Sequence, residues 1–96
     1  MAAKDFNPAL GRMVGIGGDY NIVATATTPS ALTFSHVLFT ADSVIDDIKL
    51  NGASCKTARN YIGTIPQGYI ACAGGDNVFT YVKLTSGSAE GIIFSV

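Results

Sequence analysis

Residues 78–96 read VFTYVKLTSGSAEGIIFSV. Val78 to Leu84 is dense in β-branched and aromatic residues, the types that suit a pleated, partly buried surface. Thr85-Ser86-Gly87-Ser88 carries turn chemistry: hydroxyls that bond local backbone and a glycine that accepts φ > 0. The spacing predicts a hairpin, with Glu90 to Val96 as the return strand. Alternation puts Val78, Val82 and Leu84 on one face and Phe79, Tyr81 and Lys83 on the other. On the return strand Ile92, Phe94 and Val96 oppose Ile93. Both faces are apolar, so the hairpin needs two surfaces to pack against.

The rest of the chain repeats this grammar. Tyr20 to Thr27, Leu32 to Thr40 and Ser43 to Leu50 alternate as strands, separated by Thr28-Pro29-Ser30 and Ala41-Asp42. The apolar face switches midway along Leu32 to Thr40, which places a bulge near Ser35 and His36. Asp46-Asp47 interrupts the third strand and marks an exposed edge or a bulge. Asn51-Gly52 is the strongest turn signal, since both residues tolerate φ > 0. Cys55 to Asn60 reads equally as loop, short strand or one helical turn. Tyr61 to Ile65 and Gly68 to Ala73 are short strands, and Gly74 to Asn77 turns into the final pair. The expectation is an all-β domain, a small β-sandwich or jelly-roll-like barrel of about seven strands over residues 19–96, preceded by an extended Gly-rich arm over residues 1–18.

Composition narrows the function. The chain has 96 residues, 48% hydrophobic and 14% charged, against about 25% charged in ordinary domains. A domain this small buries only about 60–65% of its unfolded surface. So few charges leave apolar surface over, which predicts contact with copies of the same chain. The expected contact residues are Phe79, Tyr81, Ile93, Val37 and Phe39. Net charge is −1 and there is no basic run, so nucleic acid lacks its electrostatic partner. No stretch has the apolar length and continuity of a signal peptide or a membrane-spanning helix; synthesis and folding in the cytoplasm are expected.

Candidate chemistry is sparse. Gly15-Ile16-Gly17-Gly18 resembles the start of a dinucleotide fingerprint, but Tyr20 stands where the third glycine belongs and no βαβ unit surrounds it. His36 is the one histidine; Cys55, Ser35 and Asp42 are available as companions, without a local motif. Asp42, Asp46 and Asp47 lack the spacing of a calcium loop. Cys55 and Cys72 read as two buried free thiols, with a disulfide between them left open. Tyr20, Tyr61, Tyr69, Phe79 and Tyr81 either line a sugar- or protein-binding surface or belong to core and interface. The expectation is therefore no enzyme, no cofactor and no metal.

Three segments also carry a likeness. Ala41-Asp42-Ser43-Val44-Ile45, then Ile65-Pro66-Gln67-Gly68, then Val82-Lys83-Leu84-Thr85-Ser86-Gly87-Ser88 resemble, over the C-terminal part of the chain, small β-rich virion proteins of tailed bacteriophages. The resemblance implies a capsid decoration protein, head fibre or tail-associated spike, built as a homotrimer and located in the virion. Its expected partners are other virion proteins, the major capsid protein first. It transfers no catalytic residue. In that setting the arm anchors the protein to the particle through Phe6, Pro8, Leu10 and Met13. The alternative is a tail- or fibre-associated module that recognises a host-surface glycan or protein.

Overall fold

The computed structural model of the protein describes residues 18–94. The expected arm, with Phe6, Pro8, Leu10 and Met13, lies outside them apart from Gly18. Among the described residues the fold is all-β. The strands are β1 (Asp19–Val23), β2 (Phe34–Phe39), β3 (Ser43–Leu50), β4 (Ala53–Ser54), β5 (Thr64–Ile65), β6 (Ile70–Cys72), β7 (Phe79–Ser86) and β8 (Ser88–Ile93). All pairings are antiparallel, in the order β1-β8-β2-β7-β3-β4, with β5 beside β3 and β6 beside β2. A single residue pair, Phe34 with Phe79, links β2 to β7. The sheet therefore has two halves, β6-β2-β8-β1 and β7-β3 with β4 and β5, curled about one apolar core in the manner of a small barrel-like sandwich.

The expected terminal hairpin is not formed. β7 runs along β3, from Val44 opposite Ser86 to Leu50 opposite Phe79. β8 instead pairs with β1 and β2. The chain crosses from one half of the sheet to the other at Gly87, so Thr85 to Ser88 makes a corner and not a hairpin loop. Gly87 has φ +92. A Cβ there would lie 2.6 Å from the Asp42 carbonyl oxygen and 2.7 Å from Ser43 Cα, distances that backbone does not permit. Ser43, fully buried, ties the corner. Its hydroxyl donates to the Ala41 carbonyl at 2.7 Å and accepts from the Ser88 N–H at 3.1 Å.

The two-faced apolar pattern has an internal explanation. Register shifts mark extra residues at Ser35 in β2, Asp46 in β3, and Thr80 and Thr85 in β7. Each bulge reverses the alternation beyond it. Phe34 thus shares the core with Val37 and Phe39, Ile45 with Ile48, and Phe79 with Val82 and Leu84; all of these are fully buried. The bulge expected near Ser35 is present, and of the edge or bulge expected at Asp46-Asp47 the structure has the bulge; those at Thr80 and Thr85 are additional. The first strand stops at Val23, short of the expected Thr27, because Thr25 takes φ +67 and turns the chain. Thr25 N–H then donates to the Leu84 carbonyl and Val82 N–H to Thr28 Oγ1, which covers the second edge of β7. Cys55 to Tyr61 is one tight turn, closed by Arg59 N–H on the Cys55 carbonyl. From it Arg59 reaches the Cys72 and Ala73 carbonyls at 2.8 and 3.0 Å and blocks the open edge of β6.

Candidate functional site

The bulge at Ser35 positions the most distinctive surface of the molecule. Phe34 faces inward over Gly91, the ring occupying the space a side chain would take. Beyond the bulge His36 faces outward. Strand register sets it between Cys72 of β6 and Ile92 of β8. In the next outward row Leu38 stands between Ile70 and Glu90. The outer face of β6-β2-β8-β1 therefore carries Ile70, Leu38 and Ile92 around His36 and Cys72. Ile70 is 51% exposed and Cys72 is also exposed. Val23, 47% exposed, extends the apolar character along β1.

At one end of this face is an open cleft of about 300 Å³, lined by Ser35, His36, Cys72, Asn77 and Phe94 with the backbone of Gly74 and Gly75. Ser35 Oγ is 2.8 Å from His36 Nδ1, which leaves Nε2 as the ring nitrogen without a bond to Ser35. The cleft presents an imidazole, a thiol, a hydroxyl and an amide. Sequence reasoning considered Cys55 and Asp42 beside His36, and the fold brings neither. Cys55 is buried near Arg59 and Asp47, and burial pushes its thiol up against the smaller opposing pull of Arg59. Asp42 accepts the Gln67 N–H at 2.9 Å. The thiols are free; against the expectation of two buried thiols, Cys72 is exposed, because it stands on the outward side of a short edge strand.

The outer face of β3 and β7 has the opposite character. Lys49 stands opposite Tyr81, its Nζ 5.1 Å from the ring centroid. Lys83 Nζ lies 3.9 Å from Asp46. Asp47 accepts from Ile48 N–H at 2.9 Å and from the Ser54 hydroxyl at 2.7 Å. The three aspartates considered for calcium therefore engage separate partners, Asp42 the Gln67 N–H, Asp46 the Lys83 ammonium, and Asp47 the Ile48 N–H and the Ser54 hydroxyl.

The residues expected to form a subunit contact are redistributed. Phe79, Val37 and Phe39 are fully buried in the chain's own core and offer no contact surface, since the bulges turn them inward. Ile93 packs against that core from its margin. Tyr81 lies on the charged face beneath Lys49. On the outer face of β6-β2-β8-β1 the outward apolar residues are Leu38, Ile70, Ile92 and Val23, and away from it Ile62 is 55% exposed. Placing the Ser35 bulge and carrying the reversed alternation forward would have identified Leu38; the pairing that brings Ile70 beside it has no local signal. The aromatics also separate. Phe79 and Tyr61 are buried, and Tyr20 leans on Phe34 at 6.2 Å between ring centroids. Tyr69 is the most exposed of the set at 43%.

Among the described residues no helix is long and apolar enough to cross a membrane. No known protein family, no curated protein and no solved structure matches the chain.

Proposed function

We propose that the protein is a non-enzymatic structural component of a bacteriophage particle, a homotrimer that decorates or stabilises the capsid through contact with the major capsid protein. In this reading residues 1–18 anchor it to the particle and the β-domain makes the trimer. The observation that carries the assembly is the contrast between the two outer faces. One carries lysines and aspartates, with Lys83 facing Asp46 and Lys49 resting on the Tyr81 ring. The other sets Ile70 beside Leu38, with Ile92 in the neighbouring row next to His36 and Glu90 on the other side of Leu38. Burying such a face against copies of itself recovers about 25 cal/mol for each Å² of apolar surface removed from water. The virion setting rests on the sequence resemblance and on the low charge of the chain.

The test is the absolute mass in solution by light scattering, for the wild type and for Leu38→Lys combined with Ile70→Lys. A trimer that the double variant converts to a folded monomer supports the proposal. A monodisperse wild-type monomer overturns the assembly. Removal of residues 1–18 is expected to abolish docking to particles that lack the protein while the trimer persists. Docking that survives the deletion overturns the assignment of the anchor.

A further inference from the structure

Asn51-Gly52 is both a turn and a chemical liability. In a flexible chain the backbone nitrogen of the glycine attacks the Cγ of the preceding asparagine. The new N–C bond closes a succinimide, the side-chain nitrogen leaves as ammonia, and water opens the ring to aspartate or isoaspartate. The unhindered glycine makes this the most reactive context for an asparagine.

In the fold these atoms are all engaged. Asn51 and Gly52 form the two-residue turn between β3 and β4, with φ +52 and +87. Asn51 Nδ2 donates to Asn77 Oδ1 at 2.8 Å, and Val78 N–H donates to Asn51 Oδ1 at 3.0 Å. Asn51 N–H donates to the Val78 carbonyl at 2.9 Å. Gly52 N–H, the nucleophile's own proton, donates to Thr80 Oγ1 at 2.9 Å. The partners come from the segment entering β7, and Thr80 is the bulged residue there.

We propose that Asn51 is a latent deamidation site, primed by sequence and held inactive by the frame of Asn77, Val78 and Thr80. Ring closure requires the side-chain amide to swing off Asn77 and Val78 while Gly52 releases Thr80 and loses its proton. The reaction therefore proceeds from an opened β3–β4 turn, and its rate reports how often that turn opens. The product matters to the fold. A carboxylate at position 51 no longer donates to Asn77, and isoaspartate lengthens the backbone of a two-residue turn, which strains the pairing of Leu50 with Ala53. This inference is independent of the assembly reading.

The experiment follows the acidic product in the full chain at mildly alkaline pH, by isoelectric separation and peptide mapping. Rates are compared for the folded protein, the same protein in guanidinium, Thr80→Val and Thr80→Ser. The folded protein is expected to react far more slowly than the unfolded chain. Thr80→Val is expected to react about five-fold faster than wild type, the factor for one ordinary hydrogen bond, and Thr80→Ser at the wild-type rate. If Thr80→Val does not fold, Asn77→Ala is read in its place with the same expectation. Equal rates in the folded and unfolded protein, or no acceleration in the folded variant that removes a frame bond, overturn the proposal.

Discussion

Replacing Gly87 by alanine tests the corner between β7 and β8. The residue sits at φ +92, where an ordinary side chain costs about 1–2 kcal/mol. The added Cβ would also meet the Asp42 carbonyl oxygen at 2.6 Å and Ser43 Cα at 2.7 Å. These are backbone atoms, so the corner itself must move. Forcing an extra carbon into such a packed site costs typically about 1–3 kcal/mol. The sum is about 2–5 kcal/mol, a large part of the roughly 5–15 kcal/mol that a small domain possesses. At about 3 kcal/mol the thermal midpoint falls by roughly 12–24 °C. Gly52→Ala is the control. Its φ is +87, but a Cβ there meets nothing within 4 Å, so only the conformational cost of about 1–2 kcal/mol applies. Both variants are compared by urea and thermal unfolding. If Gly87→Ala is no less stable than Gly52→Ala, residues 85–88 form an open loop and the crossover described above is wrong.

The cysteines should separate kinetically in a thiol-reagent assay: Cys72 reacts in the folded protein, whereas Cys55, 5% exposed, waits for unfolding. A fast phase that survives Cys72→Ser would contradict this placement. Burial raises both the Cys55 thiol above its ordinary 9.0 and the Tyr61 phenol above its ordinary 10.0, with Arg59 opposing in each case. The folded state then holds these protons more tightly than the unfolded chain. That share of stability is whole below pH 9 and declines as pH rises through the folded values. Urea midpoints are expected to hold up to that pH and fall beyond it, with a shallower fall in Cys55→Ala; a rising midpoint would reverse the sign. Arg59→Ala removes the guanidinium donors from the Cys72 and Ala73 carbonyls and leaves Ala73 the Asn77 amide at 3.5 Å. A loss of about 0.5–1.5 kcal/mol is expected for surface hydrogen bonds whose acceptors water can reach, together with faster aggregation through the bared β6 edge, measured by turbidity on heating. Unchanged stability and turbidity would show that the edge is covered by something else.

Residue types and local spacing were enough to establish that this chain is β throughout. β3 was readable over its full length, as was the bulge in β2, because each depends on which neighbours alternate in character. The Asn51-Gly52 turn was equally plain, since few residues tolerate that backbone. Pairing was not readable. Thr85-Ser86-Gly87-Ser88 has the composition of a hairpin loop, and only the partners of β7 and β8 reveal it as a corner. The physical reason is that Gly87 answers a steric demand from Asp42 and Ser43, far away in sequence. The same limit governed the surface. Phe79 looked outward by strict alternation, and the bulge at Thr80, set by the register of β7 on β3, turns it into the core. His36 and Cys72 become neighbours because β6 pairs with β2, and Ile70 joins Leu38 for the same reason. Periodicity along the chain determines which residues share a face; the register between strands decides which face meets the core and which side chains stand together on the surface.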